Sequence, residues 1–354
     1  MPKLNCILIV NININATNKM KRILTFVVLM LAATFGTMAQ QPDFHAGFGN
    51  MKPAVEPDFK DVNYAGDDME AHRLDIYLPK TGKAPYKAVI AIYGSAWFSN
   101  NMKAMTYFSF GKPLTDAGFA VVCINHRSSG DDKFPAQIQD VKGAIRFIRA
   151  NAKKYNIDNS FIGITGFSSG GHLAAMAGVT NGLKTKAIVS NQYDKKGNLL
   201  GHREVEVDIE GKIGGNLDVS SNVDAVVDWF GPVDMMRMNK TCDGVNDGKS
   251  PEAALMGCAP EADTAMTKLI SPLHYVEQAV KANLPRFIVI HGDADNVVPH
   301  CQGVYFSDEL KKAGVLEEFI SVPNGQHGAV TFNDNTFKKM TDFFIKESSK
   351  KKKK

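Results

Sequence analysis

The run Phe161-Ile162-Gly163-Ile164-Thr165 passes without a break into Gly166-Phe167-Ser168-Ser169-Gly170-Gly171 and then into His172-Leu173-Ala174-Ala175-Met176-Ala177. The first piece reads as a buried strand and the last as a helix of small residues. Between them a serine sits at a strand-to-helix reversal so tight that its backbone is strained. The residues two before and two after it must lack side chains to let the turns pass. With 17 Ser and 30 Gly in 354 residues, a G-x-S-x-G match arises by chance roughly 0.12 times, before a strand in front and a helix behind are required. Ser169 is a poor rival for the exposed position, because the same spacing puts Phe167 and Gly171 around it.

Outward from this turn, strand-like runs alternate with helix-length segments. The strands read are Arg73–Tyr77, Ala88–Ile92, Ala120–Ile124, Phe161–Thr165, Ala225–Trp229, Phe287–Ile290 and Glu317–Val322. Most are unbroken apolar runs, as strands buried on both faces are, so the fold class is α/β, a mostly parallel sheet with helices on both faces. Ala136–Tyr155 puts Ile138, Val141, Ile145, Ile148 and Ala152 on one helical stripe and Lys142, Arg146 and Arg149 off it, the pattern of a surface helix with a core-facing side. Phe332–Glu347 repeats the idea with Phe337, Met340, Phe343 and Phe344. Residues 182–222, where His202 to Gly211 alternate polar and apolar, read as an inserted hairpin, and the loop-rich 236–274 as a second insertion. The alternation resumes after each, which keeps 40–349 a single domain.

A serine near neutral pH needs a histidine to take its proton, and that histidine needs a carboxylate to fix its tautomer. The strand Phe287–Ile290 ends in His291-Gly292-Asp293-Ala294-Asp295-Asn296-Val297-Val298-Pro299, which offers Asp293 and Asp295. The last strand ends in Val322-Pro323-Asn324-Gly325-Gln326-His327-Gly328, with His327 on a glycine-flanked loop. The catalytic set is therefore Ser168, His327 and one of these two acids, while His126, His172 and His274 read as packing or surface residues. An oxyanion hole takes two backbone amides, one from the residue after the nucleophile and one from the loop after an earlier strand. Ser169 supplies the first. Tyr93-Gly94-Ser95-Ala96-Trp97 supplies the second from Ser95 or Ala96, with Trp97 beside the substrate or, alternatively, capping a tight turn from the core.

These motifs resemble the α/β-hydrolase family, and within it the bacterial carboxylesterases of the BD-FAE (feruloyl-esterase-like) and hormone-sensitive-lipase-like branches. The resemblance runs from about Leu74 to Phe344. It rests on Gly166 to His172, on His291 to Pro299, on His327, and on Asn125-His126-Arg127 with Phe134-Pro135-Ala136 and Asp140. It implies Asp295, the fifth position of the H-G-x-x-D-x-x-V-P turn, as the acid, and Arg127 with Asp140 as a structural pair. The branch has H-G-G-G-W or H-G-G-A-W where this chain has Tyr93 to Trp97; backbone donors survive that change if the local φ does not demand glycine. The implied activity is hydrolysis of acetyl or feruloyl esters, free or on plant polysaccharide such as xylan, with no cofactor. A prolyl-oligopeptidase-like peptidase shares the motifs but usually carries a large propeller in front, and a catalytically silent binding protein usually lacks a triad member.

The ends of the chain account for its charge. Residues 1–39 carry Lys3, Lys19, Lys21 and Arg22 and no acid, and Lys350 to Lys354 end the chain. Without both, 32 basic residues face 37 acidic ones, which leaves no basic footprint for a nucleic acid. Lys19-Met20-Lys21-Arg22, the apolar run Ile23 to Phe35 and the small residues of Thr37-Met38-Ala39 read as a signal peptide over about 20–39, with 1–19 upstream of the true start. The apolar run is shorter than the ~20 residues of a membrane span, so the expected location is periplasmic or secreted, without a stable anchor. Export permits a disulfide, and Cys242 with Cys258 could staple one loop, although spacing alone does not fix pairing. Cys123 reads as a small buried hydrophobe. No Cys/His spacing resembles a zinc site, and the sequence leaves the oligomeric state open.

Overall fold

The structure is a computed structural model and describes residues 55–193, 199–238, 241–242, 249–276 and 283–350. The leader expected over 1–39 and residues 351–354 of the lysine tail lie outside the described residues. Among the described residues ten strands are formed: β1 (Phe59–Asn63), β2 (Arg73–Tyr77), β3 (Tyr86–Ile92), β4 (Ala120–Ile124), β5 (Ile157–Phe167), β6 (Thr185–Tyr193), β7 (Leu199–Asp208), β8 (Ala225–Trp229), β9 (Arg286–Gly292) and β10 (Leu316–Val322). Eight of them make one sheet in the order β1-β2-β4-β3-β5-β8-β9-β10. From β4 to β10 every neighbouring pair is parallel; β1–β2 and β2–β4 are antiparallel.

All seven expected strands are present. The centres of all but β10, which is only partly buried, are buried on both faces because alternate residues meet different neighbours. Ile162 and Ile164 of β5 belong to a core cluster with Ile138, Val141 and Ile145 of helix α1 (Ala136–Ala150) and Leu173 of α2 (Ser169–Val179). A Cβ on the intervening Gly163 would instead meet the Phe344 ring. Phe344 lies on the C-terminal helix α5 (Asp334–Ser349), which follows α3 (Thr264–Ile270) and α4 (His300–Lys312).

The insertion at 182–222 contains the expected hairpin, β6 and β7, paired antiparallel as a separate two-stranded sheet. It changes the reading of α1. Lys142 and Arg146, off the apolar stripe and expected at the surface, are 0% and 1% exposed. Lys142 Nζ donates to the Thr180 carbonyl (3.1 Å), Glu210 Oε2 (3.2 Å) and Ser221 Oγ (3.3 Å), and Arg146 is paired with Glu210 as well. Glu210 follows β7, so the insertion covers a second side of the helix and brings the counter-charge that makes two buried cations tolerable.

The Cys242–Cys258 staple that the sequence left open does not form. Cys242 is bonded to Cys301, with Cα atoms 6.1 Å apart, and ties the loop after β8 to the start of α4. The partner lies 59 residues along the chain, brought near only by the sheet order. Beside the bridge, buried Gln302 accepts the Val233 and Asp234 amides at 2.9 and 2.8 Å and so fixes the same loop. Among the described residues, no helix is long and apolar enough to cross a membrane.

Candidate active site

The parallel register sets the ends of five strands at one edge of the sheet. Ile92 is level with Gly166, Phe167 with Trp229, Trp229 with Ile290, and Gly292 with Val322. The segments after β3, β5, β9 and β10 therefore leave the sheet side by side, and they carry the catalytic and oxyanion candidates read from the sequence.

Ser168 sits between β5 and α2 with φ +56° and ψ −126°, a conformation that residues other than glycine rarely adopt. Its amide donates to the Trp229 carbonyl at 2.9 Å and its carbonyl accepts the His172 amide at 3.0 Å, so the strain is held from both sides. The flanking glycines are steric necessities. A Cβ on Gly166 would collide with the Gly170 carbonyl, and one on Gly170 with the Ile92 and Tyr93 carbonyls.

His327 reaches this serine, its Nε2 lying 2.9 Å from Ser168 Oγ. Its Nδ1 lies 2.8 Å from Asp295 Oδ2. The other carboxylate oxygen, Oδ1, accepts the Val297 and Val298 amides at 2.9 and 3.0 Å. Burial pushes the Asp295 carboxyl up, but the nearby His327 and the hydrogen bonds from His291 and His327 outweigh it and hold the group well below the usual carboxylate range. Asp293, the other candidate acid, accepts the Asn324 amide at 2.6 Å and so braces the loop that carries His327. The Phe230 ring lies 4.7 Å, centroid to centroid, from the His327 ring.

The oxyanion loop separates the two alternatives, Ser95 and Ala96, and departs from the expectation at Trp97. The Ser95 amide donates to Ser169 Oγ at 2.9 Å and is already engaged. Next to it, Ala96 (φ +51°) makes no hydrogen bond through its amide to the described residues, while the Ser169 amide, at the first position of a helix, has no intrahelical acceptor. Ala96 and Ser169 are thus the pair left available. Trp97, expected beside the substrate, is 1% exposed, and its indole N–H donates to His172 Nδ1 at 3.3 Å. It caps the turn from the core, the alternative reading. His172 Nε2 lies 2.8 Å from the Ile270 carbonyl, and burial pushes this imidazole down to about 4, so it packs as the neutral form. Asp140, fully buried, accepts both the Arg127 amide (2.7 Å) and its guanidinium (2.7 Å from Nη2), the bracing pair that was expected.

Two contributors escaped the sequence reading. The Ser169 hydroxyl latches the oxyanion loop, and His291 lies beneath Asp295. Both stand inside the quoted motifs, but only the fold reveals what their side chains touch.

A family model described as BD-FAE matches residues 74–310, more than half of the chain. The chain belongs to the BD-FAE family. Among solved structures, this BD-FAE chain is similar to a truncated form of a carbohydrate esterase from gut microbiota, with 53% identity and a TM-score of 0.75 over 85% of this chain and 99% of that one. It is also similar to a bifunctional GH43-CE protein from Bacteroides eggerthii, with 56% identity and a TM-score of 0.75 over 82% of this chain and 35% of that one. Among curated proteins, the probable carboxylic ester hydrolase LipM of Mycobacterium tuberculosis is 28% identical over 71% of this chain and 51% of its own length. The chain spans about half the length of the curated relatives it matches.

Beneath the serine turn, the BD-FAE chain buries a carboxyl at Asp228 of β8. Oδ1 accepts the Gly231 amide at 3.0 Å, while Oδ2 has no partner among the described residues. Burial pushes this group up to about 6, against the pull of His291. A carboxyl raised in the folded state contributes stability that is complete below the ordinary range near ~4 and is lost as pH rises through about 6. Asp228→Asn, which cannot ionise, is therefore expected to be more stable than the natural chain at pH 8 by about 1–2 kcal/mol, the gain being largely gone by about pH 4. Thermal unfolding of both proteins at the two pH values checks this; a difference independent of pH would show that Asp228 does not titrate as argued.

Proposed function

We propose that this chain is a secreted serine esterase that hydrolyses acetyl or feruloyl esters, including those carried on plant polysaccharide, through an acyl-enzyme. The observation that carries the reading is the unbroken hydrogen-bond path from Ser168 Oγ through His327 to Asp295, at 2.9 and 2.8 Å. In the first half-reaction Ser168 Oγ attacks the ester carbonyl while His327 Nε2 takes the hydroxyl proton. The negative oxygen rests on the Ala96 and Ser169 amides. As the carbon–alkoxide bond breaks, His327 returns the proton to the leaving alcohol. Water then attacks the acyl-serine with its proton passing to His327, and the acid leaves as Ser168 recovers that proton. Asp295 keeps the imidazole proton on Nδ1 throughout and stabilises the cation, without becoming protonated itself.

The names of relatives, a carbohydrate esterase and a carboxylic ester hydrolase among them, support the bond class. Export rests on the leader read in the sequence, and the Cys242–Cys301 bridge suits an oxidising compartment. The test is a panel of acetylated xylan, methyl ferulate, short p-nitrophenyl esters and proline-containing amides. The esters, acetyl or feruloyl, are expected to show the higher kcat/KM; faster cleavage of the proline amides would hand the site to peptide chemistry.

A further inference from the structure

His291 is a histidine that the reaction does not use, and it lies directly behind one that it does. Its side chain is fully buried at the end of β9. Nε2 lies 2.9 Å from the Val298 carbonyl and 3.5 Å from Asp295 Oδ2. An imidazole nitrogen that faces two oxygens must carry the proton, so the tautomer is Nε2–H. Nδ1 has no partner among the described residues and is pressed against helix α4, where a Cβ on Gly303 would lie only 2.7 Å from it. The ring thus cannot swing away.

What this N–H holds is the turn that defines the acid. Val298, whose carbonyl it grips, also donates its amide to Asp295 Oδ1. Asp295 Oδ2, the oxygen that meets His327, has the same N–H as its second positive neighbour. We propose that His291 is a positioning residue for Asp295: it closes the 295–298 turn from below and shares the carboxylate edge with His327, so that the acid is aimed and moderated before substrate arrives. This inference rests on the esterase reading of the triad. The charged and titratable groups around the pair are Asp228 from β8, His300 from α4, Asp293 from the turn and His327 from the loop after β10.

Losing the second donor leaves the Asp295 carboxylate more basic, and a more basic partner holds the His327 cation more tightly. The acid limb of the kcat/KM profile then moves to higher pH. Three variants separate this from packing. His291→Met removes the donor, His291→Asn keeps an amide too short to reach, and His291→Gln restores an N–H near the Nε2 position. Measured with p-nitrophenyl acetate, the Met and Asn variants are expected to lose about tenfold or more in kcat/KM and to shift the acid-limb midpoint upward by about half a pH unit, whereas Gln stays near the parent in both. If Met fails to fold, the Asn and Gln pair decides alone. Folded Asn and Met variants with parental rate and midpoint would overturn the proposal, as would a Gln variant as slow as Asn with an unmoved midpoint. Ser168→Ala in the same assay keeps the two readings apart. Activity equal to the parent would remove the esterase reading and this proposal with it, whereas an inactive Ser168→Ala beside unaffected His291 variants removes only the positioning role.

Discussion

Ser168→Ala is expected to lower kcat on p-nitrophenyl acetate by on the order of 10⁵-fold or more while leaving the fold intact. The loss is large because a triad acts as a unit: with no hydroxyl at this position, His327 has no proton to take and the acyl group has no atom to bond. The neighbouring Ser169 offers no substitute. It is 1% exposed, and its Oγ is occupied by the Ser95 amide. The strained backbone is no obstacle to the substitution, since Ala96 already holds φ +51° in this protein. Stability should accordingly change little. A tryptic digest after treatment with a serine-directed phosphonate checks the same point from another side: the label should fall on the Ser168 peptide of the parent and be missing from the variant. Equal turnover by the two proteins would end the acyl-enzyme mechanism.

The sequence made the sheet legible where burial on both faces writes an apolar run, unbroken in Ala120–Ile124 and interrupted only by Asp228 in Ala225–Trp229, and the limits of both matched the strands. β1 was missed for the converse reason. Phe59-Lys60-Asp61-Val62-Asn63 pairs along one side only, at the edge of the sheet, and three of its five residues are polar. The hairpin could be read because polar and apolar residues alternate along its second strand, where Val205 and Val207 are buried and Glu204, Glu206 and Asp208 exposed. What it covers could not: Lys142 and Arg146 carry the pattern of a solvated helix face, and only the return of Glu210 across the helix makes them interior. The disulfide is a similar case, since proximity of Cys242 to Cys301 follows from β8 lying beside β9 and not from any local spacing. At the site, residue type and order singled out Ser168 and His327, because each follows a strand whose end the parallel register fixes, but left Asp293 and Asp295 as alternatives between which only the family resemblance chose. Backbone donors carry no such signature. Ser95 and Ala96 were equivalent as letters, and a hydroxyl from α2 separates them.

The second large effect distinguishes the two acids of one turn. Asp295→Asn is expected to reduce kcat by about 10⁴-fold, and Asp293→Asn by no more than about threefold. The asymmetry follows from hydrogen-bond direction. At 295 the oxygen Oδ1 accepts two amides, from Val297 and Val298, so an asparagine there must place its carbonyl on that side and its NH2 where Oδ2 stood. That NH2 then faces His327 Nδ1, 2.8 Å away in the natural chain, and forces this nitrogen to accept. The ring proton moves to Nε2, which points at Ser168 Oγ and can no longer take its hydrogen. An asparagine at 293 faces no such conflict. Its carbonyl accepts the Asn324 amide as the carboxylate did, and the loop bearing His327 keeps its anchor. Steady-state kinetics of the two purified variants, with matched unfolding curves, make the comparison. A crippled Asp293→Asn beside a nearly normal Asp295→Asn would transfer the acid's role to Asp293, and would mean that the turn rearranges before the histidine is used.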